Sequence, residues 1–176
     1  MTIRTARPRL ATTAVLGAAL GATLALGTLP ASAAVSDGYI SGGGSFRNDW
    51  SDERVAADYY PRSNAACLWQ KVLWAEGLLT NSEVDGAFGG NTAHQTGRLQ
   101  SRWGIPTSEK ADHGTFTKAA GRLKFVSGST ASGKKLELKY NGAAHDFTVR
   151  RNERGQYGFY LDDAWRAATY KKRTCI

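Results

Sequence analysis

Glu76, Glu83 and Asp85 fall close enough along the chain to share a surface, and Asp162 and Asp163 stand side by side. Glycoside hydrolysis needs two carboxylates facing each other across a cleft. Neighbouring aspartates do not meet that need: on a strand they point to opposite faces, and in a turn they are ordinary. His94, His113 and His145 show no metal-ligand spacing with acidic residues, and no Gly-x-Ser-x-Gly elbow occurs. Gly128 to Lys134 approaches a phosphate-binding loop. Lys135, however, stands where Ser or Thr would hold magnesium, and an alternating pattern follows where a helix is required. This stretch reads as a linker. We therefore expect no catalytic residue, no metal and no cofactor, with a carboxylate site at Glu76, Glu83 and Asp85 as the alternative.

The stretch with the most specific local chemistry is Val84-Asp85-Gly86-Ala87-Phe88-Gly89-Gly90-Asn91-Thr92. Asp-Gly favours a turn, because glycine accepts φ > 0 and aspartate bonds its own backbone two residues on. Phe88 places a large apolar ring in that turn and must be covered. Thr92-Ala93-His94-Gln95 has the spacing of a capping box, so a helix is expected to open at Thr92. The segment reads as a plugged corner between two helices.

Asp85-Gly86-x-Phe88-Gly89-x-x-Thr92, followed by Leu99-Gln100 and Gly104-Ile105, resembles the repeated peptidoglycan-binding domain of three-helix type. Leu68, Val72, Leu73 and Gly77 match that family's first helix and its stop. His113-Gly114-Thr115-Phe116 resembles a second, degenerate turn. The match covers roughly residues 64–125, with departures at Gln95-Thr96 and in the second turn. The resemblance implies a peptidoglycan ligand, either glycan or stem peptide. Trp69 or Trp103 would stack on sugar faces. The helix N-terminus at Asn91-Thr92 would receive a peptide carboxylate. Asp85 and Gln100 complete the ligand-binding set, the alternatives being that Trp69 packs in the core, that Asp85 and Thr92 only build the corner, and that Gln100 only faces water.

The elements that position these residues follow from periodicity. The first helix is expected from a cap at Ser63 or Asn64 to Glu76, with Gly77 as its stop. Leu68, Val72, Ala75 and Leu79 form one buried stripe, yet Cys67, Trp69, Leu73 and Trp74 make this helix apolar nearly all round. It needs cover on more than one side. A second helix is expected from Thr92 to Trp103 and a third over 117–124. Beyond residue 127 the period changes: 136–140 alternates, Asn141-Gly142 signals a hairpin, and 147–150, 156–161 and 164–170 complete four expected strands. The expected fold is α+β, a three-helix bundle over 63–126 followed by a short antiparallel β-meander over 127–176. Residues 34–62, rich in Gly, Ser, Asp and Tyr, read as an extended or partly disordered arm whose aromatics Phe46, Trp50, Tyr59 and Tyr60 dock on the domain, the alternative being that they contact ligand.

The chain carries a formal charge of +8 over 176 residues. Arg4, Arg7 and Arg9 precede a weakly apolar run that ends at Ala31-Ser32-Ala33, the pattern of a signal peptide cleaved after Ala33. We expect export, with no transmembrane anchor after cleavage, and a monomer that is secreted or wall-associated. Cys67 and Cys175 are the two cysteines, and export places them where disulfides persist, so they are expected to pair. Residues 34–97 hold 8 acidic and 4 basic side chains, whereas 98–176 hold 7 and 16. A basic half on an exported protein suits an anionic wall polymer better than nucleic acid. The expectation is a non-catalytic protein that binds wall peptidoglycan. The alternatives are a wall hydrolase and an extracellular protein–protein or inhibitor module.

Overall fold

The computed structural model describes residues 37–175. The expected signal peptide lies outside these residues. Three helices, α1 (Asn64–Ala75), α2 (Gly90–Arg102) and α3 (His113–Ala120), precede five strands. These are β1 (Leu123–Gly128), β2 (Leu136–Asn141), β3 (Asp146–Arg151), β4 (Tyr157–Leu161) and β5 (Ala164–Ala167), all antiparallel in the order β1-β2-β3-β4-β5.

The expected three-helix bundle is not what forms. Helix α1 lies at the centre of one common core, and Trp74 is its only residue that is not buried. Two short neighbours cannot cover a helix that is apolar on every side, so the rest of the chain closes around it. Helix α2 meets it through Trp69, whose Nε1 donates to Thr96 Oγ1 at 2.8 Å. Helix α3 brings Phe116 against Trp69 and Trp50. The sheet covers another side, where Tyr140 donates to Glu76 at 2.9 Å. The tail covers a further one, where Cys175 is disulfide-bonded to Cys67 and Asn64 bonds to Thr174.

The segment read as an arm belongs to the same core. Ile40, Trp50 and Val55 are fully buried, and backbone bonds tie Ile40 to Ala168, Gly42 to Gly155 and Val55 to Ala111. Its anchor is a buried ion pair. Arg151 Nη1 meets Asp49 Oδ2 at 2.6 Å, Tyr157 donates to the same oxygen, and Arg151 also donates to the carbonyls of Gly44 and Thr130. Burial beside Asp49 holds the Tyr157 hydroxyl far above its ordinary pKa.

The sheet has five strands, not the expected four. The additional strand, β1, begins at Leu123 within the segment expected to be the third helix. That helix runs earlier, over 113–120, because Asp112 caps it by accepting from Thr115 N at 2.9 Å and Gly121 follows its last residue. Leu123-Lys124-Phe125 then alternates, and Leu123 pairs opposite Tyr140. Helix α2 starts at Gly90, so the expected capping box at Thr92 is not used; Thr80 and Glu83 form one instead. The Asn141-Gly142 loop is longer than a two-residue turn. It folds onto the end of α1, where Ala144 N and His145 N both donate to Ala75 O.

Candidate functional site

The corner is built as a closed device. Gly86 holds φ +72°, and a side chain there would lie 2.6 Å from Cys175 Sγ. Asp85 Oδ1 accepts from Ala87 N at 2.8 Å and from Gln70 Nε2 at 2.9 Å. Gln70 Oε1 accepts from Gly86 N at 2.6 Å, and its amide also reaches Ala87 O and Thr92. Partial burial pushes the Asp85 carboxyl up, but the Ala87 amide, Gln70 and Arg173 together hold it below the usual range. Phe88 plugs the turn and is 2% exposed.

A second corner repeats the device. Gln100 Oε1 accepts from Ser108 N and Glu109 N, and its Nε2 donates to Ser108 Oγ, Lys110 O and Thr115 Oγ1. Each loop is held by one buried glutamine of the preceding helix. Gln70 was not singled out from the sequence, although it follows Trp69 as Gln100 follows Leu99.

These networks correct the expected ligand set. Trp69, Thr96 and Gln100 are each 0% exposed and Thr92 is 4% exposed. Trp69, Thr92 and Gln100 therefore hold the architecture and do not face a ligand. Trp103 is half-buried against Arg122, with Nε1 enclosed. Asn91 is exposed, but its amide donates to Glu83 at 2.8 Å, so a carboxylate of the chain itself stands beside the α2 N-terminus. Asp85 is held by the turn. The three acids weighed as a carboxylate site lie in separate networks. Glu76 is buried against Arg122 and Tyr140, Glu83 caps Thr80, and Asp85 belongs to the corner. Among the described residues there is no group of three side chains able to hold a metal ion.

The outer face of the sheet differs. Leu136, Leu138, Tyr140, Phe147, Val149, Tyr157 and Phe159 point inward and are buried. Strand alternation sends Glu137, Arg150, Gly158, Tyr160 and Trp165 the other way. Near the β3–β4 turn this face carries a hollow of about 620 Å³ that crosses from Lys135 and Glu137 to Trp165 and Ala167. Gly158 and Ala167 face each other across β4 and β5 and leave its floor low. A side chain at Gly158 would lie 3.0 Å from Arg166 O, so the close approach of β5 also favours glycine.

Trp165 forms one wall and is 38% exposed. The Arg150 guanidinium lies 3.9 Å from its ring centroid, and Arg150 Nε donates to Glu137 at 2.9 Å. Tyr160 packs edge-on against Trp165. Asn152 and Gln156 bring side-chain amides to the rim. This arrangement can stack a flat apolar surface and bond polar groups at its edges. Strand alternation in 156–161 and 164–167 was legible, but the pairing that sets Trp165 beside Arg150 was not.

The other loops weighed for chemistry have plain roles. Residues 129–135 join β1 to β2. Asp162 and Asp163 both take positive φ and form the two-residue turn between β4 and β5. Among the described residues no helix is long and apolar enough to cross a membrane. No family model matches the chain, and no curated protein or solved structure matches it. The resemblance of the Asp85 corner therefore stands on its residues alone.

Proposed function

We propose that this chain is an exported, non-catalytic protein that binds bacterial cell-wall peptidoglycan, and that its binding face is the outer face of the sheet. One observation carries the reading: Trp165 stands at the wall of an open hollow with the Arg150 guanidinium 3.9 Å from its ring centroid and side-chain amides at the rim. Pyranose rings present apolar faces that stack on such a ring, while their hydroxyl and acetamido groups need donors and acceptors at its edge. The wall as ligand source is supported by the Asp85–Thr92 resemblance, by the signal-like N-terminus and by the basic C-terminal half. The non-catalytic reading is supported by the engagement of Glu53, Glu76, Asp49 and Asp85 in structural bonds.

The test is co-sedimentation of the purified chain with wall sacculi, with and without teichoic acid, across a salt series. Retention at high salt on acid-stripped sacculi is the expected result. Loss of binding with salt would reduce the interaction to charge attraction. Clearing of a sacculus suspension would replace binding by lysis.

A further inference from the structure

The course of the hollow across the sheet points to the shape of its ligand, on the premise that the outer face binds glycan. Ser127 pairs opposite Glu137, Glu137 opposite Arg150, Arg150 opposite Gly158 and Gly158 opposite Ala167. Cross-strand partners share a face, so these five residues form one outward row over all five strands. Every one of them lines the hollow. The hollow therefore runs across the strands, not along them, and four strand intervals make it about 19 Å long. Its ends lie at β1 and β5, the edge strands, where the row finishes in the small side chains of Ser127 and Ala167.

The charge on this row cancels. Arg150 Nε donates to Glu137 at 2.9 Å. Arg151 and Arg166 alternate with the outward Arg150 and Trp165, so their side chains leave from the opposite face. What remains on the outer side is mainly donors. With Nε taken by Glu137, the two Nη groups of Arg150 have no other acceptor among the described residues, and the guanidinium lies beside the Trp165 ring. Gln156 accepts from Asn152 through Oε1 and keeps its Nε2 as a donor at the rim. Sugar hydroxyls and acetamido carbonyls are neutral acceptors that suit such donors. A pyranose unit of a linear glycan is about as long as one strand interval, roughly 5 Å, so the row offers about one ring position per interval.

We infer that the hollow takes the interior of an uncharged, linear, N-acetylated glycan that runs across β1 to β5 with one ring on Trp165. About four rings are engaged, one for each strand interval. The chain enters and leaves at the sheet edges, so neither of its ends is recognised.

Calorimetric titration of the purified full chain with chitin oligosaccharides of increasing length tests this. Affinity should rise about tenfold or more from the disaccharide to the tetrasaccharide and change less than about twofold beyond it. The de-N-acetylated tetrasaccharide, which lacks the carbonyl acceptors and carries positive charge, should bind about tenfold more weakly or worse. Ser127→Ile places a branched side chain with no ring face at the exposed β1 end. It should remove the gain from the added rings and leave disaccharide affinity unchanged. Several protein molecules should load onto one long water-soluble chitin chain. Equal affinity for the disaccharide and tetrasaccharide, indifference to N-acetylation, or a single protein molecule per long chain overturns the inference and leaves the binding proposal standing. Oligosaccharides that fail to bind while sacculi are retained overturn it in the same way. Failure of both to bind overturns the binding proposal with it.

Discussion

The Asp85 corner and the outer face of the sheet carry similar polar chemistry, but they use it differently. At the corner, Asp85, Gln70 and Thr92 aim nearly every donor and acceptor at the chain's own loop. On the sheet, a tryptophan, an arginine and two amides border open space. A polar side chain near a turn is thus no guide to recognition until its partners are counted. The corner is polar because a buried loop must satisfy its backbone groups. The outer face has no such demand: its polar side chains bond one another at the open surface, beside the hollow.

This contrast is broken if interior changes alter binding by folded protein, or if outer-face changes alter folding. The largest stability effect is expected on removing the Cys67–Cys175 link, which spans 108 residues. The chain-entropy model sets an upper guide of ~4.7 kcal/mol for a loop near this length. Urea unfolding of Cys67→Ala/Cys175→Ala measures it. Asp49→Ala follows, at about 3–5 kcal/mol, because it leaves Arg151 charged and buried. Gln100→Ala strands the Ser108 and Glu109 amides and should cost about 1–3 kcal/mol. In each case the folded fraction should bind sacculi as before.

A pH effect sharpens the same division. Glu53 is fully buried, and burial raises its carboxyl to about 8 despite hydrogen bonds from Tyr170 and Ser41 N. The folded state therefore binds a proton that the unfolded chain releases near its ordinary value of 4.5. This contribution is complete below about 4.5 and is lost as pH rises to about 8. Unfolding midpoints across that window should fall with pH, and Glu53→Gln should flatten the slope. Trp165→Ala should give the smallest stability change, about 1 kcal/mol, from the lost contacts with Arg150 and Tyr160 at the surface.

Much of the local structure was legible. Ser63 caps α1 and Gly77 follows it with φ +73° because side-chain acceptors and left-handed glycines are strong local signals. The apolar girth of α1 showed that it needed cover on several sides. What the sequence did not show was where that cover came from. The arm's Ile40, Trp50 and Val55 lie in a Gly- and Ser-rich stretch with no period, and the backbone bonds and ion pair that fix them are long-range. Leu123 sat at helical spacing from Phe116 and Ala120, and only its pairing with Tyr140 makes it a strand residue. The candidate site failed for a related reason. Trp69 and Gln100 have the right types for sugar binding, but burial is decided by neighbours distant in sequence. Trp165 and Arg150 become a site only through the β3–β4–β5 register.

The central claim is that recognition belongs to the sheet's outer face and not to the corner. Sacculus affinity of Trp165→Ala, compared with Asn91→Ala and the unaltered chain at matched folded concentration, tests it most directly. The account predicts at least a tenfold loss for Trp165→Ala, about 1.4 kcal/mol, and no change for Asn91→Ala. Undiminished binding by Trp165→Ala, with loss in Asn91→Ala, would return the site to the corner and contradict the account.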